Sequence, residues 1–391
     1  MLLVKEVKQV YKGIKLRIYP NLEQQKQIIE NFGACRFVWN QMLAMQIERY
    51  KNNKEAKFLN GFAMNNLLKP LKEEYPWLKY SNAQSLQDTC QTLGEAFKRF
   101  FKHSSKYPRF KSRKYPKQSF KIKQRVKIIS NHYLKLSKLG YIKYRGYHCN
   151  KGNIKSATIK LSPTGKFYCV LLIECENQAP MEKTDRAVGL DMGVADLVIT
   201  SDGVKYPTIN FDKRLAKKKR VWERKLARRR IQAKNIIATE KHMKLVNART
   251  ELTDFKNYVK AKHLVAKYSE KVANQRKDYL QKLTTELVKQ YDTIVIEGLK
   301  TSNLLKNHRL AKAIANQSWR ELRTMLEYKC EWYGKELKVV NPYKTSQVCS
   351  NCGYDDGKHE LDIRQWTCPQ CHSILDRDIN ASKNIMKLGL G

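Results

Sequence analysis

The sequence predicts an α/β region joined to a β-barrel and a helical lobe, with a small metal-held module close to the C-terminal end. Three observations carry that expectation. Short apolar, β-branched stretches around residues 187–200, 293–297 and 337–340 are separated by long segments of helical periodicity, the pattern of a sheet covered by helices. Alternating apolar and basic residues recur from Gln9 to Tyr19 and in several short runs between Val126 and Glu176, as expected of half-buried antiparallel strands. Finally, Cys349-Ser-Asn-Cys352 and Cys368-Pro-Gln-Cys371 are separated by fifteen residues. Two such pairs can form facing knuckles and surround one Zn²⁺ with four thiolates, as in a closed structural site.

Taken in order, Gln9 to Tyr19 predicts a strand with a basic outer face that stops at Pro20. Asn21 is placed to cap a helix in which Ile28, Phe32, Cys35, Val38 and Trp39 share one side, and further helices are expected over 60–71 and 82–102. The second of these carries Asn82, Gln84, Gln87 and Gln91 at helical offsets. Amide side chains can read adenine edges in a major groove, which makes Gln84 and Gln87 candidate duplex readers against the plainer alternative of a solvated face. From Lys106 to Arg125 cations are interleaved with aromatics, including Tyr107-Pro-Arg109-Phe110-Lys111, a composition suited to phosphates and unpaired bases. Short strands follow at 126–129, 133–136, 141–144, 157–161 and 166–176, expected to form an antiparallel barrel completed by the N-terminal strand.

In the second half, Ala187 to Asp191, Leu197 to Thr200 and Lys205 to Ile209 read as strands, and 211–291 as a long helical hairpin. The hairpin's first arm, Lys213 to Arg230, holds eleven basic residues against one acid and includes Arg228, a candidate contact to a polyanion. Thr293 to Glu297 is an apolar strand ending in a carboxylate, and a helix at 319–333 and a strand at 337–340 precede the cysteines. Asp378 follows them near the start of a last helix. Asp191, Glu297 and Asp378, each beside or ending a regular element, suggest carboxylates delivered to one point for two Mg²⁺ ions, while Asp376 is the rival for the third position.

The order Gly189-Leu-Asp191-Met-Gly193, Ile296-Glu297-Gly298-Leu299, the two CxxC pairs and Asp376-Arg-Asp378-Ile-Asn380-Ala-Ser382 resembles the RuvC-type nuclease domain of the TnpB family, transposon-encoded RNA-guided DNA endonucleases related to miniature type V CRISPR effectors. Arg36-Phe-Val-Trp-Asn40, Tyr107 to Lys111, Asn274 to Asp278 and Leu326 to Gly334 extend the resemblance over nearly the whole chain. It implies a wedge-type β-barrel from 1–20 and 106–180, a helical recognition lobe over 21–105, an RNase H-like (RuvC) domain from 186–344 and 373–391, and an inserted zinc ribbon at 345–372. It also implies catalysis by Asp191, Glu297 and Asp378 with two Mg²⁺ ions, a structural Zn²⁺ on Cys349, Cys352, Cys368 and Cys371, and cleavage of target DNA beside a short flanking motif. Guide RNA from its own locus, double-stranded target DNA and a monomer bound to RNA complete that expectation. RNA guidance rests on the resemblance alone.

Composition sets the outer bounds. The 391 residues carry 77 Lys and Arg against 36 Asp and Glu, a net charge of +41, which calls for a polyanionic partner. No apolar run has membrane-spanning length and no secretory leader is apparent, so a protein of the reducing cytoplasm is expected, and the resemblance implies a prokaryotic, nucleoid-associated one. The other six cysteines, 35, 90, 149, 169, 175 and 330, read as reduced core fillers. Two further readings compete with guided cleavage. An RNA-guided binding regulator would arise by loss of an acid, and all three are present; an unguided RNase H-like nuclease would show the same acids and charge. A tyrosine transposase needs a His-x-His pair, which none of the eight histidines forms.

Overall fold

Alternation over Gln9–Tyr19 produces β1, which buries Val10, Leu16 and Ile18 while exposing Tyr11 and Tyr19. In the computed structural model, which describes residues 9–115, 118–146, 152–177, 179–243, 250–299, 311–360 and 362–391, contacts divide the chain at Asn177 into two units. Cys149 lies outside the described residues.

In the first unit β1 is followed by α1 (Leu22–Asn52), α2 (Gly61–Asn66), α3 (Leu68–Glu74) and α4 (Ala83–Phe101). Then come β2 (Gln118–Ile122), β3 (Lys127–Ile128), β4 (Tyr133–Leu136), β5 (Gly140–Arg145), β6 (Asn153–Leu161) and β7 (Phe167–Glu176). Asn21 caps α1 through a reciprocal box with Gln24, which satisfies two backbone donors at the helix start. The strands form one antiparallel sheet in the order β2-β6-β7-β1-β5-β4-β3. The N-terminal strand completes this sheet from the middle, β1 pairing with both β7 and β5, and among the described residues the outer strands β2 and β3 do not pair with each other. Its eleven residues are long enough to serve both neighbours. The basic stretch 106–125 also contains a strand its charge density hides, since Phe120 and Ile122 point inward between Ser119 and Lys121. Sheet and helices share one apolar core, in which Ile28, Phe32 and Leu86 meet Phe120, Ile122 and Leu16.

The second unit contains β8 (Ala187–Asp191), β9 (Asp196–Thr200), β10 (Lys205–Pro207), α5 (Phe211–His242) and α6 (Lys256–Gln290). It continues with β11 (Thr293–Glu297), α7 (Ala311–Gln317), α8 (Trp319–Tyr333), β12 (Glu336–Val340), the hairpin β13 (Gln365–Thr367) and β14 (Ile374–Asp376), and α9 (Arg377–Leu390). The sheet order is β10-β9-β8-β11-β12, with β8, β11 and β12 parallel and β9 antiparallel to β8. Val188, Leu190, Ile294 and Ile296 face a core shared with α6 and α8. The alternate residues Gly189 and Val295 face α9 on the other side.

Asp292 anchors the chain that enters this sheet. One carboxylate oxygen accepts from the amides of Thr184 (2.8 Å) and Asp185 (2.7 Å), and the other holds the Lys335 ammonium, which also donates to the Glu182 carbonyl at 2.7 Å. Lys335 and these amides hold the Asp292 carboxyl down at about 2. Because this lies below the unfolded value, its stabilisation is present above about pH 4 and fades as pH falls toward 2. Asp292→Asn should therefore lower the melting temperature at pH 7, with the difference from wild type shrinking through that acid window. A difference independent of pH would contradict the assignment.

Candidate active site and metal centre

The parallel register fixes the first two acids. Ile296 is paired with Leu190, so the next residues, Glu297 and Asp191, end adjacent strands at the same edge of the sheet. The third arrives on α9. Its cap is Asp376, whose Oδ1 accepts from the amides of Asp378 (3.0 Å) and Ile379 (3.1 Å) and whose Oδ2 accepts from Lys205 Nζ at 2.7 Å. Both oxygens of Asp376 are thus committed to holding the helix. Asp378, in the first turn, keeps its carboxylate out of the capping role.

Close contact between α9 and the sheet makes this arrangement possible. A side chain at Gly189 would collide with the Ser382 carbonyl and come within 2.6 Å of the Met386 amide nitrogen, and one at Gly389 would meet Val295 at 2.5 Å. Electrostatics register the convergence. Burial, then the neighbouring Glu297 and Asp378 carboxylates, push Asp191 up to about 7. Burial also raises Glu297, against a 2.7 Å hydrogen bond donated by Thr345 Oγ1. Arg364 Nη1 approaches the two oxygens of Asp378 at 3.5 and 3.4 Å. Among the described residues the three carboxylates do not all come within 4.8 Å of one another. A set of buried and half-buried acids is chemically suited to hard divalent ions such as Mg²⁺.

The cysteines form a second centre. The Sγ atoms of Cys349, Cys352, Cys368 and Cys371 lie within 4.8 Å of one another, with Cys349–Cys371 and Cys352–Cys368 both at 3.6 Å. A tetrahedron with metal–sulfur bonds of about 2.3 Å has edges of about 3.8 Å, so the thiols fit one Zn²⁺. His359 stays outside this set, 3.4 Å from Asp356 and with its ring 4.7 Å from that of Trp366.

Two asparagines on α9, which the sequence analysis did not single out, lock the ribbon to the acids. Asn380 Oδ1 accepts from the Ser350 amide (2.7 Å) and its Nδ2 donates to the Val348 carbonyl (2.8 Å). One turn later Asn384 Nδ2 donates to the carbonyls of Thr345 (2.9 Å) and Val348 (2.7 Å). Asn380 is completely buried. The readable signal was two amides four residues apart on an otherwise apolar helix face.

The candidate nucleic-acid residues separate by environment. Gln84 exchanges two hydrogen bonds with Gln124 (2.9 and 3.0 Å), Gln91 accepts from Lys123 (2.7 Å), and Asn82 caps α4. Gln87 alone of the four is exposed and, among the described residues, makes no hydrogen bond. The segment bearing Arg109 and Lys111 is ordered by α1: Trp39 Nε1 donates to the Arg109 carbonyl (3.0 Å), while Asn40 pairs with both the amide and carbonyl of Lys111 (2.8 and 3.0 Å). The Lys111 ammonium lies 3.6 Å above the Trp39 ring, and the Arg109 side chain is exposed. Arg228 is exposed on α5.

Three outcomes follow from this geometry. Cys352→Ser should lower zinc content and melting temperature together, because binding a structural zinc contributes to folding; an unchanged melt would contradict the site. Asn380→Ala leaves the buried Ser350 amide unpaired, while the Val348 carbonyl keeps Asn384, and should cost about 1–3 kcal/mol in denaturant unfolding, with wild-type stability counting against it. Asp191 must lose its proton to ligate a cation, so Mn²⁺ affinity in a calorimetric titration should fall as pH drops below about 7 and level off above it; a flat profile from pH 6 to 8 would refute this.

Comparison with known proteins agrees with these features. Residues 170–308 match a family described as "Probable transposase", residues 319–385 match a Cas12f1-like TNB domain, and residues 10–55 match a family described as a helix-turn-helix domain. The last description differs from the structure, where that segment is one strand followed by one uninterrupted helix. A Streptomyces pristinaespiralis protein provisionally named an RNA-guided DNA endonuclease is 34% identical over 98% of this chain and 90% of its own length. The Escherichia coli K12 protein InsQ, named in the same way, is 32% identical over 96% of this chain and 92% of its own length. The Cas12f1 chain of a complex with single-guide RNA and target DNA shares the fold, with a TM-score of 0.54 at 15% identity over 97% of this chain and 99% of that one. No described helix is long and apolar enough to cross a membrane. On the identity and coverage of these relatives, the chain belongs to the TnpB family.

Proposed function

We propose that this protein is an RNA-guided DNA endonuclease whose second unit is a RuvC-like, RNase H-type nuclease with an inserted zinc ribbon. The observation that supports the reading is that Asp191 and Glu297 end adjacent parallel strands at one edge of the sheet, with Asp378 on α9 near enough to help raise the Asp191 carboxyl. Two Mg²⁺ ions bound there would activate a water for in-line attack on a DNA phosphodiester and stabilise the leaving 3′ oxygen. Asp191 and Glu297 supply charge from rigid strand ends, and Thr345 fixes the Glu297 rotamer by its hydrogen bond. Asp376 and Lys205 hold the first turn of α9 so that Asp378 keeps its place. No protein nucleophile is required.

In the same reading the first unit combines a wedge-type sheet with a recognition lobe, and Gln87 is the side chain best placed to read a flanking duplex motif. The cations of α5, including Arg228, would face a guide–target heteroduplex, and a guide transcribed from the protein's own locus, bound by a monomer, would direct cleavage. The excess of positive charge over the whole chain supports a nucleic-acid partner of this size.

Plasmid cleavage with purified protein, locus-derived RNA and Mg²⁺ tests the proposal. Asp191→Ala, Glu297→Gln and Asp378→Ala should each reduce cutting by at least about a thousandfold while leaving RNA and target binding within a fewfold of wild type. Near-normal cutting by any of them would remove that residue from the site. Cutting by protein that copurifies with no discrete RNA would remove guidance and favour the unguided nuclease.

A further inference from the structure

The block Arg36-Phe-Val-Trp-Asn40 has three of its five side chains explained by the fold: Val38 is in the core, and Trp39 and Asn40 clamp the 109–111 segment. Arg36 and Phe37 instead line a groove of about 980 Å³, between α1, the single-turn segment Pro76–Tyr80 and the β4–β5 turn. We propose that this groove takes one unpaired nucleotide of a bound nucleic-acid strand, its phosphate against Arg36 and its base against Trp77 and Tyr80. The inference rests on the nucleic-acid enzyme reading above and adds a binding site to it.

The floor of the groove is the first argument. Gly33 lies inside the 31-residue helix α1, where glycine costs about 1 kcal/mol relative to alanine. A Cβ there would meet only Arg36 Nη2, at 3.8 Å, so no packing within the protein requires its absence. What a bare helix surface at Gly33 gives is room for a ligand to approach the backbone.

The walls supply the chemistry. Arg36 is half-buried and, among the described residues, has no carboxylate partner; its one protein hydrogen bond is to Gln118 Oε1 at 3.3 Å. Burial and the nearby Arg113 guanidinium both work against its charge, a local excess that an anion would relieve. Tyr80 is 85% exposed and Trp77 44% exposed, a large aromatic surface facing solvent. The Trp77 ring is held in place by Phe37, which packs edge-on with centroids 5.1 Å apart, and the backbone on either side of Tyr80 is tied down by Lys138 Nζ through the carbonyls of Lys79 (3.1 Å) and Ser81 (2.9 Å). Pre-placed aromatics beside a cation without a counter-charge suit one stacked base and its phosphate. Glu30, which also lines the groove, disfavours a second phosphate beside it.

The test uses the full-length protein and short single-stranded probes, one oligouridylate with 4-thiouridine and one oligothymidylate with 4-thiothymidine. Photocross-linking followed by peptide mapping should label Trp77 or Tyr80; labelling by the RNA probe alone, the DNA probe alone or both identifies the strand that enters the groove. Tyr80→Ala and Gly33→Leu, the first removing an exposed ring and the second filling the floor, should each weaken that probe about tenfold, with the melting temperature unchanged for Tyr80→Ala and not lowered for Gly33→Leu. Affinities within twofold of wild type for both variants, with no label at 77 or 80, would overturn the site while leaving guided cleavage intact. Failure of the protein to bind either probe would count against both the groove and the wider reading.

Discussion

The second unit depends on one close contact: α9 lies against the backbone of β8 at Gly189, nearer than any side chain would allow. A helix normally packs about 10 Å from a sheet because side chains stand between them. Removing the side chain at 189 lets α9 settle onto the sheet, with Gly389 giving the same clearance over Val295 at its far end. That position brings an acid from the last helix, more than eighty residues beyond Glu297, to the edge where two parallel strands already deliver carboxylates.

Such a site is expensive without a cation. Burial raises both Asp191 and Glu297, and each added carboxylate raises Asp191 further. The surrounding structure compensates by over-determining the geometry. Asp376 caps α9 and is itself neutralised by Lys205, Thr345 restrains Glu297, and Asn380 and Asn384 fasten the helix to the chain entering the cysteine knuckles. The ribbon therefore does more than decorate the domain. Its four clustered thiols and the buried amides of α9 lie along one continuous support that reaches Asp378.

Much of this was legible in the sequence. β1, β4, β11 and α8 begin and end where alternation, caps and apolar offsets place them, because their patterns are strong and local. The four cysteines announce themselves by spacing. The acids were recognisable as a set only through their order and their resemblance to a family, since each alone is an ordinary strand-end or helix-start residue. What the sequence concealed was mostly pairing between distant segments. The barrel expectation did not place β1 at the centre of its sheet, β2 was masked by Lys121 and the lysines flanking it, and the amide face of α4 was largely taken up by Gln124 and Lys123. The roles of Asn380 and Asn384 depend on backbone groups thirty or more residues away, which no local pattern encodes.

The central claim is that direct helix-on-strand contact at Gly189 assembles the three acids. The most direct measurement is Mn²⁺ binding and target cleavage by Gly189→Val, alongside its zinc content. The account predicts that the variant keeps its zinc, because the thiols do not touch residue 189, but loses both tight Mn²⁺ binding and cutting as α9 is forced off β8. A Gly189→Val protein that binds Mn²⁺ and cleaves as wild type would contradict it.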